Sequence, residues 1–112
     1  MTNAINWFEI PVENFERAKG FYENVLNAEM QTMDMEALGK KMAFFPSEMN
    51  AGVGGAIATA EGFKPSLNGS LVYLNGGDDL AEPLSRVSAA GGQVILINTD
   101  IGPNGFIGIF ID

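Results

Sequence analysis

The sequence contains neither cysteine nor histidine. Without cysteine the chain can form no disulfide bond and no thiolate metal site, and it offers no thiol as a nucleophile. Two of the residue types from which catalytic function is most easily recognised are therefore missing. The pattern of the remaining residues is more informative about the fold than about the chemistry.

Basic residues are also scarce, with six Lys and Arg against fourteen Asp and Glu and a formal net charge of −8. A nucleic-acid partner requires a basic surface that binds phosphates, so this charge argues against one. The acidic balance is explained either by solubility or by attraction of a cationic ligand.

Long apolar runs are absent as well. No segment approaches the length that spans a membrane, and the N-terminus lacks the charged and apolar regions of a signal peptide. We therefore expect a cytoplasmic protein with no membrane partner. A chain of 112 residues with 46% hydrophobic content is long enough for one domain with a real core and too short for two.

A strand–helix pattern occurs twice along the chain. In the first half, a strand-like run over residues 5–11 precedes a helical pattern that ends at Leu26. In the second half, residues 70–75 open the same order of elements, and the helical pattern stops at Gly91-Gly92. Such a unit repeated in one small domain usually builds a composite sheet, with any site between the halves. The sequence predicts a single α+β domain over 1–112, with module one at about 1–60, a linker at about 61–69 and module two at about 70–112.

The first helical pattern has one apolar face, which predicts packing against a sheet. An acidic helix start is supplied by Glu13 and Asn14. The apolar positions are Phe15, Ala18, Phe21, Tyr22, Val25 and Leu26. The other predicted elements are a second helix at about 79–90 and strands at about 4–10, 29–36, 40–46, 53–60, 70–75, 93–98 and 106–111.

The two predicted modules have unequal numbers of strands. Module one has three strands after its helix, whereas module two has two, so the last strand is missing from this chain. The strand at 106–111 would then be a long apolar edge, which is an aggregation hazard in a soluble protein. We expect either that the protein continues beyond Asp112 or that a second chain pairs with residues 106–111.

The order and spacing of short motifs in both halves resemble the vicinal oxygen chelate superfamily, which includes glyoxalase I, the bleomycin-resistance proteins and the extradiol dioxygenases. The resemblance covers the whole chain and implies two βαβββ modules whose sheets curl into an open cup. The matching motifs are Val12-Glu13-Asn14, Arg17-Ala18, Phe21-Tyr22, Val25-Leu26, Ala89-Ala90-Gly91-Gly92, Thr99-Asp100-Ile101-Gly102 and Gly105-Phe106.

In catalytic members of that superfamily, four side chains hold a divalent metal that acts as a Lewis acid on two neighbouring substrate oxygens. The resemblance assigns the first ligand position to Trp7 and the second to Leu71, and neither side chain binds a metal. The third position falls near Ala56 to Ala58, with only Thr59 as a nearby donor, and the last falls on the missing strand. A metal needs several oxygen or nitrogen donors at fixed geometry, so we expect no bound metal and no cofactor.

Alternation along the predicted strands places Trp7 and Glu9 on the face opposite the helix, and Leu71, Tyr73 and Asn75 on the corresponding face of module two. Trp7 either stacks a planar ligand or fills the cup as apolar packing. Glu9, beside an aromatic ring, is either an acid or base whose pKa is raised by burial or an ordinary, partly exposed strand residue. Tyr73 pairs with Glu9, with a ligand, or with neither.

Two points stay open at the level of the sequence. Phe44 and Phe45 are adjacent, so one of them faces the cup and the other does not, and the strand register decides which. The identity of the ligand, if there is one, cannot be inferred.

The sequence favours a metal-independent small-molecule binding protein with an apolar, aromatic cup and Glu9 as its polar anchor. The bleomycin-resistance proteins, which the chain resembles, bind their ligands without metal catalysis. One alternative is an enzyme of lyase or dioxygenase type that uses Glu9 with a substrate-supplied or displaced metal. The other is a structural or interaction module. The resemblance also implies a homodimer, because a second chain commonly completes the open edge and cup. The predicted ligand-binding residues are Trp7, Glu9, Leu71, Tyr73 and Asn75.

Overall fold

The computed structural model describes residues 4–47 and 52–112. This part of the chain contains two helices and two β-sheets, and the α+β class that the sequence predicts is confirmed. No helix among these residues is long and apolar enough to cross a membrane. The elements are β1 (Trp7–Pro11), α1 (Phe15–Leu26), β2 (Gln31–Met35), β3 (Lys40–Phe44), β4 (Gly54–Ala60), α2 (Ala81–Ala89), β5 (Gln93–Asp100) and β6 (Phe106–Ile111).

The chain divides into two compact units. Unit 1 comprises Met1–Lys19 and Ala28–Gly69, and unit 2 comprises Gly20–Asn27 and Ser70–Asp112. The four strands β1 to β4 belong to unit 1, whereas α2, β5 and β6 belong to unit 2. Helix α1 contributes its first residues to unit 1 and its remaining residues to unit 2.

Unit 1 contains a mixed four-stranded sheet with the strand order β1-β4-β3-β2. β1 runs parallel to β4, whereas β4, β3 and β2 are antiparallel neighbours. A 3₁₀ turn at Glu36–Leu38 and the left-handed Gly39 connect β2 to β3. The strand–helix–three-strand order expected of module one is therefore present.

Helix α1 begins and ends at the residues that its sequence indicates. The Oδ1 atom of Asn14 accepts a hydrogen bond of 3.1 Å from the backbone N–H of Arg17, which caps the first turn. Asn27 follows the last turn with a φ of 52°, a left-handed conformation that asparagine tolerates better than most residues. The predicted apolar face is confirmed by the burial of Phe15, Ala18, Phe21, Tyr22 and Val25.

Unit 2 contains helix α2 and an antiparallel pair of strands, β5 and β6. A 3₁₀ turn at Gly102–Asn104 joins the two strands. Val87 of α2 is fully buried, and the rings of Phe21 and Phe110 lie 5.7 Å apart. Gly92 is closely surrounded, because a Cβ atom at this position would lie 2.6 Å from the carbonyl oxygen of Ile111.

The strand predicted over residues 70–75 is wrong, since this segment has no regular secondary structure. The physical reason is seen by comparison with unit 1. In unit 1 the corresponding strand, β1, forms its one ladder among the described residues with β4. Among the described residues of unit 2, β5 and β6 pair only with each other, so residues 70–75 form no ladder. An apolar alternating sequence does not remain a strand without a hydrogen-bonding partner.

Candidate functional site

The candidate site lies on one face of the four-stranded sheet in unit 1. Lys41, on β3, reaches α1, where its Nζ atom lies 4.8 Å from the ring centre of Phe15 and 3.3 Å from Oε1 of Glu16. Side chains alternate along a strand, so Lys40 points to the face opposite the helix. Trp7 and Glu9 of β1 occupy this same face, as the alternation in the sequence predicts.

The register settles which phenylalanine belongs to this face. Phe44 pairs with Ala56, and Ala56 pairs with Glu9, so all three side chains point in the same direction. The rings of Trp7 and Phe44 meet edge to face with centroids 5.8 Å apart. Phe45 is buried on the other side, with its ring 5.6 Å from that of Phe8.

Trp7 remains 44% exposed although it contacts Phe44. Its indole nitrogen Nε1 donates a hydrogen bond of 3.1 Å to Oε2 of Glu9, two residues further along the same strand. This bond and the contact with Phe44 hold the indole ring in one orientation. The exposed part of the ring is therefore a fixed, flat, apolar surface.

Glu9 is also paired through its other oxygen. The Nζ atom of Lys40 lies 2.7 Å from Oε1 of Glu9, and the two side chains are only 21% and 23% exposed. The hydrogen bond from Lys40 lowers the pKa of the Glu9 carboxyl below its ordinary value. The Trp7 hydrogen bond and the charge of Lys40 act in the same direction, and burial opposes them. The alternative of a Glu9 carboxyl with a raised pKa is thus wrong, because the effect of Lys40 outweighs that of burial.

The floor of this face is apolar. Met42, Ala56 and Ala58 form a buried cluster, and Met35, Phe44 and Phe63 pack against it. Phe63 follows β4 and returns to the sheet through a turn in which its N–H bonds to the carbonyl of Ala60 at 3.1 Å. Lys40 lies over the Phe63 ring, with Nζ 5.3 Å from its centre. The name "Trp7 face" is used below for Trp7, Glu9, Lys40, Met42, Phe44 and Phe63.

Sequence reasoning did not predict Lys40 or Phe63 as part of this site. Both lie far from Trp7 in the sequence. The strand order brings Lys40 to the same face, and the turn after β4 brings Phe63 there. The period-two pattern of β3 would have found Lys40, had the register of β3 against β4 been known.

The other three predicted site residues lie in unit 2. Leu71 and Tyr73 are 62% and 56% exposed. Asn75 accepts a hydrogen bond of 2.9 Å from the backbone N–H of Gly77 through its side-chain oxygen, as in a turn. Because residues 70–75 do not form a strand, the alternation that assigned these three side chains to one face does not apply. Their contact with a ligand stays a prediction.

A second concave region of unit 1 was not predicted either. It is an open depression of about 490 Å³ at the end of the sheet near the β2–β3 turn. Its amino groups are already engaged, because Lys40 binds Glu9 and Lys41 binds Glu16. The lining residues are Asp34, Glu36, Gly39, Lys40, Lys41, Thr59, Ala60 and Glu61.

Comparison with known proteins identifies the family. Residues 4–112 match the model of the Glyoxalase/Bleomycin resistance protein/Dioxygenase superfamily. The chain therefore belongs to this superfamily, which confirms the resemblance found in its motifs. No curated protein sequence matches the chain significantly.

Two solved structures share the fold. A glyoxalase I variant from Zea mays superposes with a TM-score of 0.61 at 15% identity, covering 96% of this chain and 41% of the maize chain. A hypothetical protein from S. aureus superposes with a TM-score of 0.60 at 18% identity, covering all of this chain and 88% of the other. The chain thus spans less than half the length of the maize enzyme. At these identities the likeness concerns the fold alone.

The residues of the Trp7 face do not fit the divalent metal of catalytic superfamily members. Both oxygens of Glu9 are bonded to neighbouring side chains, and the indole N–H of Trp7 is a donor that cannot ligate a metal. Ala56 and Ala58 are fully buried and carry no donor atom. Within residues 4–47 and 52–112, no group of three or more His, Cys, Asp or Glu side chains is placed to hold a metal ion.

Proposed function

We propose that this protein binds a small molecule without a metal, and that the ligand lies on the Trp7 face. The observation that carries the proposal is the exposed Trp7 ring, fixed in orientation by Phe44 and Glu9. A large aromatic surface held in place loses little conformational freedom when a ligand stacks on it. A planar, mainly apolar ligand fits this surface best.

The polar part of the site supports one further feature of the ligand. Glu9 is held ionised by Lys40, and each carboxylate oxygen has two acceptor positions. Oε2 uses one position for the Trp7 indole, which leaves another for a hydrogen-bond donor on the ligand. The ligand would therefore combine a planar apolar body with a donor such as a hydroxyl, amide or amino group.

The same geometry disfavours the enzymatic alternative. A general acid or base at neutral pH needs a pKa near the working pH. The pKa of Glu9 is shifted the other way, and its charge is neutralised by Lys40. Glu9 is thus suited to orienting a ligand rather than to transferring a proton.

The test uses the fluorescence of the single tryptophan. We expect planar metabolites with a hydrogen-bond donor to change the emission of Trp7 in a saturable titration, with the same affinity by calorimetry. Trp7→Ala should weaken the calorimetric affinity by at least tenfold, as expected for a central aromatic contact. Leu67→Ala is the matched control, because Leu67 is 81% exposed and lies outside the Trp7 face.

The metal content of the purified protein distinguishes metal-independent ligand binding from a metal-dependent enzyme. Protein purified without chelator should contain no stoichiometric divalent ion, and EDTA should leave the affinity unchanged. A stoichiometric metal whose removal abolishes binding would refute metal independence. Equal affinities for the Trp7→Ala variant and the unaltered protein would refute the location of the site.

We further propose that the protein acts as a cytoplasmic homodimer. The superfamily to which the chain belongs supports the dimer, because a second chain commonly completes the sheet edge and the cup in its members. The scarcity of basic residues disfavours a nucleic-acid partner.

A further inference from the structure

The indole ring of Trp7 lies across the neighbouring strand β4. Trp7 pairs with Gly54, and Cζ3 of the indole lies only 3.1 Å from the point at which a Cβ atom of Gly54 would stand. The ring extends toward Phe44 of β3, on the other side of β4. Because Gly54 carries no side chain, the six-membered part of the indole lies directly over β4 at this position.

A hydroxyl group lies near this edge of the indole. Oγ of Ser47 is 3.5 Å from the same point above Gly54, so Ser47 and Trp7 are on the same side of the sheet. Ser47 lies just after β3 and is exposed. Its hydroxyl both donates and accepts hydrogen bonds. A ligand stacked on the indole would therefore meet this hydroxyl at the Cζ3 edge.

Glu9 lies at the opposite edge of the same ring. Nε1, which donates the 3.1 Å hydrogen bond to Oε2 of Glu9, is attached to Cε2 of the indole. Cε2 and Cζ3 stand directly across the six-membered ring from each other. The indole is therefore a flat apolar surface with a carboxylate at one end and a hydroxyl at the other.

The two polar ends differ in the ligand groups that they bind. The hydrogen bond from Lys40 lowers the pKa of Glu9, so the carboxylate is ionised near neutral pH and only accepts hydrogen bonds. The hydroxyl of Ser47 takes either a donor or an acceptor. Hydrogen bonds to an ionised group are stronger than those between neutral groups. A ligand with one polar group would therefore place that group at Glu9 and make no hydrogen bond to Ser47.

We propose that the ligand is an aromatic ring with polar groups at two opposite ends, in which a donor bonds to Glu9 and the second group bonds to Ser47. A single ring stacked parallel to the indole reaches both side chains only when its substituents point in opposite directions, as in a para-disubstituted benzene. This inference rests on the ligand-binding function proposed above. It adds the arrangement of the polar groups, and it adds Ser47 as a residue that determines specificity.

A set of small aromatic probes tests this arrangement. Para-hydroxybenzamide carries a hydroxyl and an amide at opposite ends, phenol and benzamide each carry one of these groups, and meta-hydroxybenzamide carries both at an angle. NMR titration measures the affinity of each probe, because single-ring ligands bind weakly. We expect the para compound to bind about fivefold more tightly than the other probes, which corresponds to the net contribution of one hydrogen bond.

Variants of Ser47 test whether this preference comes from the hydroxyl. Ser47→Ala should lower the affinity for para-hydroxybenzamide to that of the other probes, whose own affinities should not change. Ser47→Thr retains a hydroxyl and should retain the preference. Ser88→Ala is the matched control, because Ser88 is an exposed serine of α2 in unit 2. Circular dichroism verifies that each variant is folded.

The outcomes distinguish this inference from the function on which it rests. Probes that bind equally well to Trp7→Ala and to the unaltered protein would refute the proposed location of the site, and this inference with it. Probes that need Trp7 but bind with equal affinities, or a para preference that survives in Ser47→Ala, would refute this inference and leave the proposed function standing. Failure of para-hydroxybenzamide to bind would also refute this inference alone, since the metabolite titration tests the function independently.

Discussion

Lys40 and Glu9 form an ion pair between two strands that are not neighbours in the sheet. Their charged atoms lie 2.7 Å apart, yet β4 runs between the strands that carry them. On this face β4 presents the alanines Ala56, Ala58 and Ala60, which pair with β1 and β3. The small side chains leave room above β4 for the lysine to reach across. The ion pair therefore links the side chains of β1 and β3 above the alanines of β4.

We expect the stabilisation from this pair to disappear in acid. The pKa of Glu9 is lowered by folding, so its contribution is fully present above the ordinary value of about 4.5 and is lost as the pH falls through the folded value. Glu9→Gln should reduce the free energy of unfolding at pH 7 by about 1 kcal/mol. The difference from the unaltered protein should shrink below about pH 4.5.

Urea unfolding between pH 3 and pH 8 measures this difference. Glu16→Gln is the matched control, because Glu16 also pairs with a lysine but its side chain is 77% exposed. Its effect should be within a few tenths of a kcal/mol at every pH. A Glu9→Gln effect that stays constant or grows toward low pH would contradict the assigned pKa shift.

The adjacent phenylalanines should respond differently to truncation. Phe44→Ala removes the edge-to-face contact with Trp7 and should shift the tryptophan emission to longer wavelength. Phe45→Ala creates a cavity beside Phe8 and should cost about 3 kcal/mol of stability while leaving the emission nearly unchanged. Fluorescence spectra and urea unfolding of both variants check this. Equal spectral shifts would mean that the two side chains are not on opposite faces.

Two glycine-to-alanine substitutions should have opposite effects on stability. Gly92→Ala places a methyl group 2.6 Å from the backbone oxygen of Ile111, which cannot move as a side chain would, so we expect a loss of about 2 kcal/mol or more. A Cβ atom added at Gly20, within α1, would meet no atom of another part of the chain within 4 Å, so Gly20→Ala should stabilise the protein by about 0.5–1 kcal/mol. Thermal unfolding of both variants measures the difference. Destabilisation by Gly20→Ala would show that the surroundings of α1 are tighter than described.

The sequence predicted correctly those features of the fold that depend only on residues close together in the chain. The apolar positions of α1 and the cap at Asn14 are such features, and both are found in the structure. The alternation around Trp7 and Glu9 likewise gave the correct face of β1. In these cases, the residues that determine the structure lie within a few positions of each other.

Predictions that depended on distant partners did not succeed or stayed open. Residues 70–75 have strand-like alternation, but a strand also needs a ladder, and the sequence of the segment does not reveal whether one forms. The pKa of Glu9 is lowered because β3 places Lys40 beside it. The residues near Glu9 in the sequence do not indicate this contact. The choice between Phe44 and Phe45 required the register of β3 against β4.

The parallel pairing of β1 with β4 also bears on the order in which unit 1 folds. The β2–β3 hairpin joins residues close in sequence and can form early, as can the helical turns of α1. β1 has its ladder with Gly54–Ala58, so the long intervening chain must be brought to closure, at an entropic cost, before β1 can pair. β1 is thus expected to be the last of the four strands to enter this sheet, and Trp7, which β1 carries, reports on that step.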